Sequence, residues 1–296
     1  MSPRRFARLV AMAIIIGIGI FNLYQAAIGW TMADGSAYWN AALRVREGAA
    51  LYPPVTNYEA SDVFRYSPWF AWAAVPFTYL PMGVAGAIWS AILLVASGMA
   101  LLPLIRERAW LLVWLFGPIL VGISANGNVH ALLIALLVHG VERRSGPVWI
   151  AIAASLKIFP VLLALTYAGR REWGRFALAI LLATVLWLPA LAYDLSNYPR
   201  DPGRVGALFE FPVIYYAVVA LAVGATLALA QTRYAWLSAS TAVVLALPRL
   251  FVYDVTTLMV GADYALRKLP SRAPRADIPP SGTRGRRWPL AAGQRT

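Results

Sequence analysis

The sequence contains no cysteine, which removes disulfides, thiolate nucleophiles and cysteine-ligated metals together. Histidine is almost missing too: His130 and His139 are too few to build a metal site. Charge is scarce. Only 13% of residues are charged, against roughly 25% in a soluble domain, and 60% are hydrophobic. Such a chain has too little polar surface to cover a water-soluble globule. There is no D-x-D to hold a metal-bound nucleotide sugar, no Walker A loop, no G-x-G-x-x-G placed to open a dinucleotide fold and no H-E-x-x-H. Those absences disfavour ATP-driven pumping, nucleotide cofactors and zinc proteolysis. No cofactor and no metal are expected.

What the sequence has instead is apolar length. Several runs approach or exceed the roughly 20 residues that span a bilayer as a helix. Lipid satisfies no backbone groups, so spanning segments are helices or closed barrels, and continuous rather than alternating runs choose helices. The runs are Leu9–Trp30, Trp69–Leu80, Val84–Ile105, Trp110–Ala125, Val129–Val141, Val148–Ala168, Phe176–Tyr193, Phe211–Ala230, Tyr234–Leu247 and Phe251–Leu266. The expected fold is all-α: a polytopic membrane bundle of about ten hydrophobic helices, some short enough to be half-spans or re-entrant. Residues 1–268 form its transmembrane domain. Residues 269–296, rich in Pro, Arg, Ser and Gly, are expected to be a disordered basic cytoplasmic tail.

The net charge of +13 invites a nucleic-acid reading, but eight of the basic residues follow Leu266, where anionic lipid headgroups explain them. Membrane lipids are the expected partner and nucleic acid is not. All but two of the 26 basic residues are arginine, a bias that reads as a GC-rich bacterial genome and places the chain in a bacterial inner membrane. The arginines before Leu9 put the N-terminus in the cytoplasm, with the first run an uncleaved span. Strict alternation then places Arg170–Arg175 and Arg233 inside, and Arg106–Arg108 and Arg143–Arg144 outside.

The longest hydrophilic interval between runs is the external loop 31–66. It holds the first acid of the chain, Asp34. Within it Ser36–Glu47 has helical spacing, with Tyr38, Trp39, Ala41, Ala42, Leu43 and Val45 on one arc, and reads as a short helix on the membrane plane. Arg46 falls inside that arc and must snorkel. Asp34 has two readings. An Asp before Gly35-Ser36 is a good helix N-cap; a carboxylate at a membrane surface is also a general base able to take a proton from an attacking sugar hydroxyl.

Charges inside apolar runs are expensive and call for partners. Lys157 lies in the middle of IAASLKIFPVLL, and Arg249 and Asp254 lie five apart in ALPRLFVYDVTTLM, around Pro248. Arg249 and Asp254 either pair and face other helices, or Lys157 and Arg249 bind an anion such as a lipid phosphate. Arg65-Tyr66 is either an interfacial anchor or a donor-phosphate contact. Tyr38 and Tyr52 either stack on a sugar or belong to an aromatic belt. Asn126-Gly127-Asn128 is either a turn or part of the site. His130 and His139 read as packed or interhelically hydrogen-bonded.

These residues resemble those of glycosyltransferase family 87, the polyprenyl-phosphate-mannose-dependent α-mannosyltransferases of the GT-C membrane fold. The resemblance lies in Asp34-x3-Tyr38-Trp39, Ala41-Ala42, Gly48, Leu51-Tyr52, Phe64-x-Tyr66-x-Pro68, Gly127-Asn128, Lys157-x-x-Pro160 and the stretch from Pro248 through Tyr253-Asp254 to Leu258. It implies a sugar, mannose first, moved with inversion from a polyprenyl-phosphate donor to a lipid or glycan hydroxyl acceptor on the outer face. Asp34 would be the base. Arg65, Lys157 and Arg249 would hold the departing phosphate, and Tyr38, Tyr52, Tyr66, Asn126, Asn128, Tyr253 and Asp254 would line the substrates. Against the family the sequence reads as shortened on its C-terminal side. That leaves a non-catalytic partner subunit or lipid-binding scaffold as the alternative, and a small-solute transporter behind it.

Overall fold

Proline and glycine decide where the apolar runs of this chain bend, and the bends fix which residues meet. The computed structural model describes residues 3–28, 32–54, 57, 63–199, 206 and 208–266. The basic tail 269–296 and most of residues 55–62 lie outside the described residues. Among the described residues every element is helical: twelve α-helices and four 3-10 helices, rather than ten hydrophobic helices. Three stretches are long and apolar enough to cross a membrane, Met82–Arg106, Trp173–Ala192 and Pro212–Leu229.

The excess over ten is the loop helix, Ala33–Glu47, together with the pieces into which four expected runs break. Trp69–Leu80 becomes α3 (Pro68–Ala74) and a 3-10 helix, Val75–Tyr79, tightened where Pro76 removes a backbone donor. Val148–Ala168 becomes α7 (Gly146–Leu156), a 3-10 helix Phe159–Ala164 and α8 (Leu165–Gly169). Phe176–Tyr193 becomes α9 (Trp173–Trp187) and the 3-10 helix Leu188–Ala192. Phe251–Leu266 becomes the 3-10 helix Val252–Leu258 and α12 (Met259–Leu266). The remaining elements are α1 (Pro3–Ile28), α2 (Ala33–Glu47), α4 (Met82–Arg106), α5 (Trp110–Ala125), α6 (His130–Gly140), α10 (Pro212–Leu229) and α11 (Ala235–Leu245).

Small residues bring the helices together, and many large apolar ones face outward. Ala37, Ala41, Ala71, Ala100, Ala131, Ala153 and Ala239 are fully or almost fully buried, while Leu191, Val213 and Leu221 are more than two-thirds exposed. That is the pattern of helices packed in lipid, where close backbone approach rather than water exclusion drives association. Helix α1 lies on α5, α4 on α5 and α6, α7 on α9, and α10 on α11.

The contacts sort the loops into two ends. At one end Asp34 meets Asn126 and Asn128, Trp89 meets Gly127, Ser67 meets Leu186, and Lys157 meets Asp254. At the other, Arg170 pairs with Glu142 at 2.9 Å and donates to the Ala230 carbonyl, and Arg175 donates to the Arg143 carbonyl. The indole of Trp236 also donates to Glu142 there. Strict alternation therefore fails twice. The pair α3 and Val75–Tyr79 starts and finishes at the Asp34 end and does not cross. The run Val148–Ala168 rises to Lys157 and returns, so Tyr167 closes on Val141 at 2.5 Å. Arg106–Arg108, Arg143–Arg144, Arg170–Arg175 and Arg233 consequently share one end, and Arg106–Arg108 and Arg143–Arg144 are not on the Asp34 side.

The loop helix differs from expectation in its packing. Helix α2 begins at Ala33, not Ser36, and ends at Gly48, whose φ of +69° suits glycine and whose N–H returns to Val45 and Arg44. Gly35, Ala37, Tyr38, Ala41 and Ala42 are buried against α3 and Val75–Tyr79. Arg46 does not simply snorkel: its guanidinium donates to the Thr78 carbonyl at 2.7 Å and to the Thr78 hydroxyl at 3.1 Å.

Candidate active site

Asp34 is the second residue of α2, and Met32, in the left-handed region with φ 51°, occupies the cap position. The N-cap reading of Asp34 is thereby set aside. The free amides of the helix start are taken by the α5–α6 turn: Asp34 N donates to the Asn126 carbonyl at 2.9 Å and Gly35 N to the same oxygen at 3.3 Å. The Asp34 side chain is left to point elsewhere. It accepts a hydrogen bond at 3.0 Å from Asn128 Nδ2.

Asn128 is buried and has no freedom to flip. Its Oδ1 accepts from the backbone N–H of His130 at 2.9 Å, closing the first turn of α6, so its amide hydrogens must face the carboxylate. Gly127 makes this turn possible with φ +73°. The Gly127 carbonyl receives the Trp89 indole at 2.7 Å. Asn126–Asn128 is therefore a turn, and it meets Asp34.

On the facing side, Lys157 stands where α7 stops. Its backbone is extended (φ −135°, ψ 117°), and Pro160 opens the next turn. Lys157 is therefore at a helix break, not inside a helix. Its ammonium donates to Asp254 Oδ1 at 3.0 Å, with the lysine side chain 19% exposed and the aspartate 3%. A third contact places Nζ 3.4 Å from His130 Nδ1, and the Tyr253 ring lies 4.5 Å below the charge. Since an ammonium only donates, His130 Nδ1 accepts; Nε2–H then faces the Thr256 hydroxyl at 3.1 Å. Thr256 passes its own proton to the Tyr253 carbonyl at 2.7 Å. The second oxygen of Asp254 accepts from Phe251 N at 2.9 Å and caps the 3-10 helix. So the buried acid is paired with Lys157, 97 residues away, rather than with its neighbour in sequence Arg249. Arg249 lies 4.4 Å over the Phe251 ring, which stacks on Tyr253.

The tyrosines divide. Tyr38 and Tyr52 are buried among other aromatic rings, Tyr38 also bordering the cavity described below. Tyr38 packs on Tyr66, Phe70 and Trp89, and its hydroxyl meets Tyr66 at 3.1 Å and Val129 N at 3.3 Å. Tyr52 packs on Phe64 and Tyr198 and donates to the Tyr66 carbonyl at 2.8 Å. Both hold the loop in place. Tyr66 is partly exposed, as is Arg65, whose carbonyl receives the Tyr198 hydroxyl at 3.0 Å. His139 reaches the Met99 carbonyl at 2.8 Å, an interhelical bond as expected.

A cavity of about 600 Å³ opens beside the first turn of α2, with Gly35 and Ser36 on one wall and Trp39, Phe77, Trp89 and Leu136 among the others. Its lining is almost wholly carbon. Asp34 itself is half-buried, and that burial raises its carboxyl above the ordinary value of 3.8, against the Asn128 hydrogen bond and the charge of Lys157, which pull it back down. The arrangement is an acid next in sequence to the wall of an apolar chamber, with a fixed hydrogen-bond donor in Asn128 and the charge of Lys157 acting on it. Sequence reasoning did not find the roles of Tyr198, Trp89 and Ser67, whose partners lie 133, 38 and 119 residues away. No local pattern signals contacts of that separation.

Residues 64–200 match the model of glycosyltransferase family 87. The chain is 28% identical over 139 residues to GPI mannosyltransferase 1 of Saccharomyces cerevisiae, covering 44% of the chain and 33% of that protein. It is 27% identical over 201 residues to the Eremothecium gossypii protein of the same name, covering 62% and 49%, and 27% over 174 residues to that of Aspergillus fumigatus, covering 54% and 37%. The chain spans between a third and a half of the length of these relatives. They are fungal and lend no support to a bacterial membrane. No solved structure matches. Arg65, Tyr66, Asn128 and Lys157 fall within the matched segment; Asp34 and Arg249–Asp254 flank it.

Proposed function

Taking this chain as a glycosyltransferase-family-87-like protein of the mannosyltransferase type, we propose that it transfers mannose from a polyprenyl-phosphate donor to a hydroxyl on a lipid or glycan acceptor. Asp34 is the general base. The acceptor oxygen attacks the anomeric carbon while its proton passes to Asp34. The bond from that carbon to the phosphate oxygen breaks, its electron pair leaves on the polyprenyl phosphate, and the anomeric centre inverts. Arg65 and Arg249 receive the phosphate charge. Tyr66, Asn126, Asn128 and Tyr253 border the sugar and acceptor. The chemistry faces away from the cytoplasm, because the arginine-rich loops share the opposite end and positive loops stay inside.

One observation carries this reading. Asp34 is held by Asn128 at 3.0 Å, one residue from the wall of an apolar chamber suited to a lipid chain. A second reading makes the chain a non-catalytic subunit that works beside another transferase. The experiment separates them. The purified chain in liposomes containing polyprenyl-phosphate mannose, supplied with a hydroxyl acceptor, should transfer mannose by itself. Asp34→Asn should keep the fold and reduce transfer by about 10²–10⁴-fold, the range for a general base. A variant that retains native transfer removes Asp34 from the mechanism, and a native chain that turns over only with a co-purified transferase supports the subunit.

A further inference from the structure

Three protein groups surround the Lys157 ammonium, whose side chain is only 19% exposed. One proton meets Asp254 at 3.0 Å, another is 3.4 Å from His130 Nδ1, and the remaining face lies over the Tyr253 ring at 4.5 Å. The backbone of His130 leads back to the acid: His130 N donates to Asn128 Oδ1, and Asn128 Nδ2 donates to Asp34 Oδ2. From Asp254 the chain runs the other way, through Phe251 N, to the turn that carries Arg249. Four separate segments of the chain meet here: Asp34, Asn128–His130, Lys157 and the stretch from Arg249 to Asp254.

We propose that Lys157 is a positioning residue, which orients and charges the Asp34 site through His130 and Asn128 and pins the Arg249 turn through Asp254, and is not a ligand of the donor phosphate. This rests on the transferase reading above. A phosphate ligand needs open donors on its ammonium; this one has a buried carboxylate as its counter-ion and an imidazole beside it. Its positive charge reaches Asp34 and favours the ionised base. The other groups facing Asp34 are Asn128 from the α5–α6 turn, Tyr38 from its own helix, Tyr66 from the loop and Tyr253 from the 3-10 helix. At neutral pH none of these carries a charge. Lys157 is thus the cation whose loss the acid should register.

The test removes the ion pair together. Lys157→Met alone leaves Asp254 as an unpaired buried carboxylate and is expected to misfold, so the informative variant is Lys157→Met with Asp254→Asn, which keeps an acceptor for Phe251 N. In the mannose-transfer assay from polyprenyl-phosphate mannose, the acid limb of the pH–rate profile should move up, because the Lys157 charge acts on Asp34 more strongly than that of Asp254, with the donor KM near native. A raised donor KM with an unmoved limb makes Lys157 a phosphate ligand and overturns the proposal. A lowered kcat with both unmoved makes it a structural staple only, and also overturns it. A native chain without any transfer overturns the transferase reading and this inference with it, whereas native transfer with an unmoved limb in the double variant overturns this inference alone.

Discussion

Gly35 and Gly127 touch backbone to backbone. A Cβ placed on Gly127 would stand 2.9 Å from both Cα and N of Gly35, closer than real side chains allow. This approach lets the Asn126 carbonyl cap the start of α2 and so aims Asp34 at Asn128. Gly127→Ala meets two obstacles, the backbone of Gly35 and its own φ of +73°, and should destabilise the chain by about 2 kcal/mol or more. Gly35→Ala meets chiefly the flexible end of Met32, at 2.5 Å, which can rotate away. Thermal unfolding in detergent should rank Gly127→Ala well below Gly35→Ala. Equal midpoints would mean that the two loops are not in contact.

The carboxyl of Asp34 is raised by burial, and the sign of its linkage follows. A folded value above the ordinary 3.8 means that the acid's contribution to stability is present below that value and is lost as pH rises through the raised one. At neutral pH the native chain is therefore holding an unfavourable carboxylate. Asp34→Asn should unfold at a higher temperature than native at neutral pH, with the gap closing toward acid. Transfer has the opposite slope, since the base must be ionised, so the native rate should fall as pH drops through a limb above 3.8. A limb at or below that value would show that Asp34 is not buried as described.

How much of this was legible in the sequence depends on the range of the interaction. Asp34 at the end of an apolar run, Lys157 inside one and the Asn126–Asn128 interruption stand out locally, because polar residues among carbon are visible by contrast. The partner of Lys157 was not visible: Arg249 is five residues from Asp254, while Lys157 is 97 away, and sequence distance favours the wrong cation. The turnabout at Lys157 was signalled by Lys157-x-x-Pro160, a charge and a helix breaker together in mid-run. The length of Val148–Ala168 outweighed it, since apolar content alone reads the same for one span or two half-spans. Tyr38 and Tyr52 were ambiguous for a similar reason, as an aromatic that binds and one that packs have the same composition.

Asn128 does two tasks with one side chain, and substitution can separate them. Asn128→Asp keeps an oxygen for His130 N but replaces the donor facing Asp34 with a second carboxylate. Like charges so placed raise the carboxyl further. The expected result is a nearly native fold with transfer at neutral pH reduced about tenfold or more and recovered in part as pH rises. Asn128→Ala loses the helix-start acceptor as well and should cost about 1–2 kcal/mol of stability. If Asn128→Asp shows a native pH profile, the hydrogen bond to Asp34 has no part in the reaction.

The absence of cysteine makes the crossing order directly testable. Single cysteines at Glu107, Arg144 and Arg233 sit on exposed positions of the arginine-rich end, and those at Ala49 and Asn197 on exposed positions of the Asp34 end. Strict alternation of ten spans would put residues 107 and 144 across the membrane from 233. In the fold described, α3 does not cross and Val148–Ala168 doubles back, so all three are on the same side. A membrane-impermeant maleimide applied to intact cells should therefore label Ala49→Cys and Asn197→Cys while sparing Glu107→Cys, Arg144→Cys and Arg233→Cys, with all five reacting after permeabilisation. Labelling of 107 and 144 without 233 in intact cells would restore the alternating topology, and would separate Asn128 from Asp34 across the bilayer. The charge asymmetry agrees with the first outcome, since it gathers the arginine loops on the side where positive residues are retained.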